Sequence, residues 1–183
     1  LRQDGSVEVR DHRRTHVAEV LKKTAGERLR VGEVDGALGE AIIDRLNADA
    51  LVFRPELTTP PPEALDLLVV LALPRPKMLR RCLRTLTEAG VKEIVLLQSY
   101  HVEKSYWQSP LLSPQALEQT LLGGLEQAAD TSLPRISFER RFRPFAEDRL
   151  PDLLEGRSAL LADGSATLSF PTSPAKPGAL LIG

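Results

Sequence analysis

The chain has 183 residues, a hydrophobic fraction of 42% and a formal net charge of -1 at pH 7. This length and composition allow a buried core in one domain or in two small ones. The near-zero net charge argues against a protein that coats nucleic acid non-specifically, because such binding needs a large excess of Lys and Arg. The longest apolar run, Leu67–Leu73, is too short to cross a bilayer, and a single cysteine excludes an internal disulfide. We therefore expect a cytoplasmic protein without a membrane span.

The first 65 residues predict one helix followed by short strands. Apolar residues at helical spacing indicate a helix from Arg13 to Lys23 that ends before Gly26. Alternating patterns predict strands over residues 28–34, 38–43 and 50–54, and Asp35-Gly36 is a turn signal that joins the first two as a hairpin. This pattern favours a small β-barrel or sandwich lobe.

A proline-rich segment separates this lobe from the rest of the chain. Pro60, Pro61 and Pro62 follow two threonines, and three consecutive prolines favour an extended conformation without strand donors. We place the domain boundary here, with a first domain over residues 1–62, a linker over about 56–64 and a second domain over 65–183.

The second domain alternates strands with helices, which predicts an α/β domain with a mainly parallel sheet covered on both faces. A helix from Lys77 to Ala89 ends at Gly90, and Ser113-Pro114 is a cap pair that opens a second helix. The predicted strands cover residues 67–73, 93–97, 135–139, 158–162 and 179–182. The connection after Glu139 has no clear pattern.

Common catalytic and metal-binding signatures are missing from the sequence. It contains neither a P-loop nor a glycine-rich dinucleotide fingerprint after the first strand of the second domain. His12, His16 and His101 lie far apart without cysteines or paired acids at ligand spacing, so we expect no metal site. No residue is assigned as catalytic.

Two basic clusters are open to two interpretations. Arg80, Arg81 and Arg84 lie opposite the apolar stripe of their helix, either as a solvated face or as a phosphate-binding face. The same alternatives apply to Arg13, Arg14 and His16, for which the small β lobe favours RNA contact. The single tryptophan, Trp107, follows a strand end and is expected to cover the core or an interface more readily than to stack on a base.

Short motifs in order along the chain resemble one known family, the bacterial ribosomal RNA uridine-N3 methyltransferases of the SPOUT superfamily. In the first domain they are His16-Val17, Val20-Leu21-Lys22, Gly26, Asp35-Gly36 and Gly39. In the second they are Lys77-Met78, Glu88-Ala89-Gly90-Val91, Ser99-Tyr100-His101, Glu126-Gln127, Leu160-Leu161-Ala162 and Leu180-Leu181-Ile182-Gly183. The resemblance covers nearly the whole chain.

The resemblance implies a PUA-like RNA-binding β-barrel followed by a trefoil-knotted α/β domain that dimerises and binds S-adenosylmethionine. The implied activity is methylation of N3 of a uridine in 16S ribosomal RNA of the small ribosomal subunit. The cofactor contacts implied are Leu161, Ala162, Asp163, Leu181, Ile182 and Gly183. The RNA contacts expected are Arg13, Arg14, His16, Lys22, Arg80, Arg81 and Arg84.

In that family the strand reading Leu-Leu-Ile-Gly continues into a Pro-Glu-Gly-Gly loop and a later Ile-Leu-Arg segment. Neither follows Gly183 in this sequence, so we expect the chain as given to lack part of its cofactor site. Two alternatives follow: a non-catalytic RNA-binding or ribosome-assembly protein that retains the fold, and, with less support, a small-molecule α/β enzyme.

Overall fold

The computed structural model describes residues 4–167 and 178–183. The chain divides into two compact units, Leu1–Pro62 and Glu63–Gly183, here called the N-terminal and C-terminal units. In the described ranges, no helix is both long enough and apolar enough to span a membrane.

The N-terminal unit contains an antiparallel sheet with the strand order β1-β4-β3-β2. The predicted hairpin is confirmed: β2 and β3 pair in antiparallel register from Arg28 opposite Ile42 to Gly32 opposite Leu38. Alternate residues of the strands, including Ala41 and Ile43, are buried in one core. The closure of this sheet into a PUA-like barrel stays a prediction. The strands are β1 (Val7–Val9), β2 (Arg28–Gly32), β3 (Leu38–Leu46) and β4 (Leu51–Thr59).

The predicted end of β4 at Arg54 is wrong, because the strand continues through Pro55 to Thr59. β1 pairs only with Leu51–Phe53, so beyond Phe53 the strand β4 has β3 as its partner and no described strand on the opposite side. A proline is tolerated at such an edge, where its missing N–H breaks no ladder bond. The linker is therefore shorter than the predicted 56–64 and begins after Thr59.

The predicted helix over residues 13–23 is also wrong in its extent. Helix α1 (His12–Thr15) continues as a π-helical turn, His16–Val20, and then stops. Lys22 adopts a left-handed φ of 52°, and the Lys23 N–H donates to the Val17 carbonyl over 3.0 Å, which is the geometry of a helix C-terminal cap. Of the predicted apolar stripe only Val17 is buried, while Val20 is 66% exposed.

The C-terminal unit contains a five-stranded sheet with the order β7-β6-β5-β9-β8, in which every neighbouring pair is parallel. This confirms the predicted α/β architecture with a mainly parallel sheet. The strands are β5 (Leu65–Ala72), β6 (Val91–Leu97), β7 (Arg135–Glu139), β8 (Ser158–Ala162) and β9 (Gly178–Ile182).

Both faces of the sheet are covered, because β5 sends alternate apolar side chains to opposite sides. Val69 and Leu71 pack in one cluster with residues of α2 (Pro76–Glu88) and α3 (Pro114–Ala128). Leu68 and Val70 pack in another cluster with Phe145 and the helical segment around it. That segment fills the connection after Glu139 that the sequence left open, and it comprises α4 (Phe142–Pro144), a π-helical turn (Phe145–Arg149) and α5 (Leu150–Leu154).

Strand β9 lies between β5 and β8, although β8 precedes it in the chain. The last strand is thus paired on both sides, which buries Ala179 to 1% exposure. This placement aligns the ends of β8 and β9 with the end of β5. The trefoil knot itself stays a prediction.

Candidate functional site

The residues predicted to contact a cofactor lie side by side at the carboxyl edge of the parallel sheet. In the register of β8 and β9, Leu161 is opposite Leu181 and Ala162 is opposite Ile182. Asp163 and Gly183 follow these pairs directly, and both are exposed. In open α/β sheets, ligands bind outside this edge, where the main chain leaves the ladder with free donors and acceptors.

The side chains at this edge form an apolar surface next to one ionised carboxylate. Leu161 is 68% exposed, whereas Leu181 and Ile182 are half-buried. The Asp163 carboxylate accepts hydrogen bonds from the Ser165 hydroxyl at 2.6 Å and the Ser165 amide at 2.7 Å. These bonds hold the pKa of Asp163 below its usual range, so the carboxylate stays ionised at neutral pH.

The four candidate RNA contacts of the N-terminal unit differ in whether their side chains already have a hydrogen-bond or ion-pair partner. Arg13 forms a two-pronged ion pair with Asp11, whose pKa is lowered to about 2, first by that side-chain hydrogen bond. Arg14 donates to the Asn47 carbonyl at 3.1 Å. His16 and Lys22 are exposed, and neither side chain has a partner in the part of the chain that the structure describes.

The candidate arginines of the C-terminal unit line the outer face of α2, which we call the α2 basic face. It comprises Lys77, Arg80, Arg81 and Arg84, spaced at i, i+3, i+4 and i+7, together with Arg75 at the helix start. With the half-exposed Met78 they line an open groove of about 520 Å³. Arg84 pairs with Glu88 at 3.0 Å. The other four cations of the face have no partner among the described residues.

The start of α2 lacks the side-chain cap and the acidic residues that stabilise a helix N-terminus. Its cap residue is Arg75, without a side-chain cap bond, and the first turn contains no acid. Cations at a helix N-terminus oppose the helix dipole by about 0.3–1 kcal/mol each. The same arrangement of positive side chains and free amides attracts anions. Arg75 and Lys77 were not among the selected candidates, although the acid-free run of residues 75–84 contained the signal.

A second concave region lies at the carboxyl end of β7, and the sequence analysis did not select it. We call it the β7 cleft, and its volume is about 440 Å³. Trp107 contacts Phe138 and Arg140 of this cleft and packs against the core, as expected. The run of charged and aromatic residues after β7 was the available signal. The cleft is lined by Phe138, Glu139, Arg140, Arg141, Pro144, Phe145 and Arg149.

No group of three or more His, Cys, Asp or Glu side chains is arranged to hold a metal ion within residues 4–167 and 178–183. The three histidines are among those residues.

Comparison with known proteins identifies relatives of this chain. A family model described as an RNA methyltransferase domain matches residues 61–183. The ribosomal RNA small subunit methyltransferase E of Treponema pallidum is 33% identical over 174 residues. That match covers 94% of this chain and 65% of the relative, so the chain spans less than two thirds of the relative's length.

Solved structures share the fold at low sequence identity. The ribosomal RNA small subunit methyltransferase E of Neisseria gonorrhoeae, bound to S-adenosyl methionine, superposes with a TM-score of 0.68 at 15% identity. The match covers 97% of this chain and 73% of that one. A probable rRNA-methyltransferase from Porphyromonas gingivalis gives a TM-score of 0.68 at 20% identity, covering 98% of this chain and 76% of that one.

Proposed function

Because the chain belongs to the family of RNA methyltransferase domains, we propose that it transfers a methyl group from S-adenosylmethionine to N3 of a uridine in small-subunit ribosomal RNA. The observation that carries the proposal is the alignment of the β8 and β9 ends in one register at the carboxyl edge of the sheet. The similar proteins from Treponema pallidum and Neisseria gonorrhoeae are named as methyltransferases of small-subunit ribosomal RNA, which supports that class of substrate. We propose a cytoplasmic location, where this substrate is found.

The strand ends suit S-adenosylmethionine in three respects. Their main chain offers hydrogen-bonding groups for the polar parts of the ligand. Leu161, with two thirds of its surface exposed, offers an apolar surface for a purine ring. The ionised Asp163 lies at the same edge, where a carboxylate favours the positive charge of the ligand. Leu161, Ala162, Asp163, Leu181, Ile182 and Gly183 are the residues that we propose hold it.

S-adenosylmethionine, when bound, supplies a methyl group that its positively charged sulfur has already activated. The work of the protein is to hold the uridine ring in line with that group and to exclude water. Methylation at N3 replaces a ring proton, which leaves to a nearby base or to solvent. The α2 basic face would hold the RNA backbone while this occurs, because arginine forks match phosphate oxygens.

The basic residues of the N-terminal unit complete the proposed RNA contacts. His16 and Lys22 are available for phosphate oxygens. Arg14 keeps one N–H on the Asn47 carbonyl and has other N–H donors for a phosphate, whereas Arg13 must first leave Asp11. Phosphate contacts of this kind fix position and orientation without reading sequence. We further propose that the protein acts as a homodimer, and a monomeric mass in sedimentation would contradict that part.

The test of the cofactor site is calorimetry of the full-length protein with S-adenosylmethionine. A Cβ at Gly183 meets no described atom within 4 Å, so Gly183→Leu adds a bulky side chain at the carboxyl edge of the sheet without a clash among the described residues. We expect this variant to lose the heat of binding. The matched control is Gly123→Leu on α3, where a Cβ also meets open space, and it should bind normally.

The test of the reaction is mass spectrometry of ribosomal RNA from a strain that lacks the gene. We expect one uridine to lose one methyl group, and purified protein with S-adenosylmethionine to restore it. RNA binding without cofactor binding would instead favour the non-catalytic assembly protein. Unchanged RNA in the deletion strain would contradict the proposed substrate.

A further inference from the structure

The β7 cleft has the size of a ligand site and lies at the same edge of the sheet as the β8 and β9 ends. Its volume of about 440 Å³ is within the range of small-ligand pockets, about 300–1,000 Å³. Phe138 is in register with Leu96, Leu71, Ile182 and Ala162 across the five strands. The cleft thus opens at the same edge of the sheet as the proposed methyl-transfer site, with β6 and β5 between them.

The charges of the cleft favour an anion. Its one acid, Glu139, forms an ion pair with Arg149, so its negative charge is already compensated. Arg141 is exposed and has no partner among the described residues. Arg140 lies over the Trp107 ring, 5.0 Å from the ring centroid, a contact that keeps its full charge. Two arginines therefore remain to meet phosphate oxygens.

The aromatic residues of the cleft favour a base. Phe138 is 42% exposed and meets Trp107 edge-on, with ring centroids 6.2 Å apart. Phe145 is 2% exposed and lines the cleft. An exposed ring beside arginines is the arrangement by which proteins bind unpaired nucleotides, through stacking and phosphate contact together.

Hydrogen bonds fix the rim of the cleft in advance. The Trp107 indole N–H donates to Gln98 Oε1 at 2.5 Å. The side-chain amide of Gln98 (Nε2) donates in turn to the carbonyls of Ser99 and Val102, at 2.8 and 2.9 Å. The indole therefore holds the Phe138 and Arg140 side chains against an ordered surface, which lowers the entropy cost of binding a ligand there.

The distance to the proposed cofactor residues decides which nucleotide fits. β7 and β9 are three strand positions apart, and three spacings of about 4.8 Å give roughly 14 Å. Methyl transfer needs reacting atoms about 3–3.5 Å apart. The nucleotide in the cleft is therefore a neighbour of the methylated one in the RNA strand.

We propose that the β7 cleft binds one unpaired nucleotide of the RNA substrate, and that this nucleotide flanks the methylated uridine. Its base stacks on Phe138 and its phosphate contacts Arg140 and Arg141. This proposal rests on the proposed function for the identity of the RNA, and it adds a site that selects single-stranded substrate. A base-paired nucleotide cannot present its face to Phe138, so duplex RNA is rejected at this position.

Trp107 is a reporter for the test, because its ring contacts both Phe138 and Arg140 of the cleft. We would titrate the full-length protein with an oligouridylate of about six nucleotides and follow tryptophan emission. The comparison ligand is a duplex RNA with the same number of phosphates. We expect a saturable change with the single strand and none with the duplex. An equal change with both overturns the proposal.

Variants assign the change to the cleft. Phe138→Ala should weaken oligouridylate binding by roughly 5- to 150-fold, the range for loss of one base–aromatic stack. Arg141→Ala should weaken it severalfold and lower the salt slope by about 0.7. Arg141 is an exposed side chain without described partners, so this variant folds even if Phe138→Ala does not. Wild-type affinity in Arg141→Ala overturns the proposal.

The matched control is Arg143→Ala, which removes the same charge two residues away. Arg143 pairs with Glu147 at 2.8 Å and does not line the cleft. We expect wild-type affinity in this variant, and a loss equal to that of Arg141→Ala would mean that only net charge matters.

Two further measurements separate this proposal from the proposed function. If S-adenosylmethionine does not bind but the oligouridylate results are as expected, the cleft is supported and the methyl-transfer proposal fails. If methyl transfer proceeds with a wild-type KM in Phe138→Ala and Arg141→Ala, the function is supported and the cleft proposal fails.

Discussion

The α2 basic face makes a quantitative prediction about salt. Lys77, Arg80 and Arg81 lie on one side of α2 without partners among the described residues, and Arg80 and Arg81 are exposed. Replacing all three by Ala should change folding stability little, within about 0.5 kcal/mol per site, because no described contact is lost. Any loss of RNA affinity then reports on phosphate contacts alone.

The magnitude follows from counterion release. Each phosphate contact on single-stranded RNA contributes about 0.7 to the slope of log affinity against log salt. Three lost contacts lower the slope by about 2, so the wild type should lose roughly 20-fold more affinity than the variant between about 50 and 200 mM salt. The assay is filter binding or fluorescence anisotropy with a small-subunit ribosomal RNA fragment at several salt concentrations.

The control must remove the same charge from other surfaces. Arg28, Arg54 and Arg143 are exposed arginines, each in an ion pair with a nearby acid. A triple Ala variant of these residues changes the net charge equally and should retain a nearly wild-type slope. Equal slopes in the two triple variants would refute the reasoning and make the α2 basic face a solvated surface.

Two predictions concern stability, measured by urea unfolding. At Gly124 a Cβ would lie 2.7 Å from the Thr87 Cβ, so Gly124→Ala should destabilise the fold by about 1–3 kcal/mol through overpacking between α2 and α3, while Gly123→Ala on the same helix should stabilise it by up to about 1 kcal/mol. Stabilisation at both glycines would contradict the close helix contact. Asp130 forms an ion pair with Lys92, and both side chains are largely buried. Burial raises the pKa of Asp130, but hydrogen bonds from Lys92 and the Ser132 and Thr131 amides outweigh it and the pKa lies below its usual value. A lowered pKa adds stability above the unfolded value of about 3.9 that is lost as the pH falls through the folded value. Asp130→Asn should therefore cost about 3–5 kcal/mol at pH 7 and progressively less below pH 4, and a pH-independent cost would contradict the ion pair.

The sequence predicted the C-terminal unit better than the N-terminal unit, for a physical reason. Helix α2 was predicted over Lys77–Ala89 and is observed over Pro76–Glu88, because its apolar stripe and the following glycine are both local signals. Helix α1 was predicted too long because Val20, Leu21 and Thr24 continue a helical period after Val17. The structure instead exposes Val20, since the chain turns out of the helix at Lys22.

The candidate site was predicted in part. The β8 and β9 ends were selected from motifs, and the structure places them in register. The β7 cleft was missed, because it combines the end of β7 with Phe145 and Arg149 from a separate helical segment. That segment contains Pro144 and Pro151, and its sequence shows no clear helical pattern. Pocket shape depends on how separate segments meet, and no local pattern contains it.

The sequence by itself determined most of the strands and the helices α2 and α3 with their apolar faces, because those properties depend on side-chain spacing within a few residues. It did not predict β1 or the helical segment over residues 142–154. The tertiary structure alone decided the order of the strands. β5, β6 and β9 are all short apolar runs, and a buried parallel strand fits equally well at any interior position by its pattern. Insertion of β9 between β5 and β8 depends on packing across the whole sheet, and it is this insertion that brings Ala162 beside Ile182.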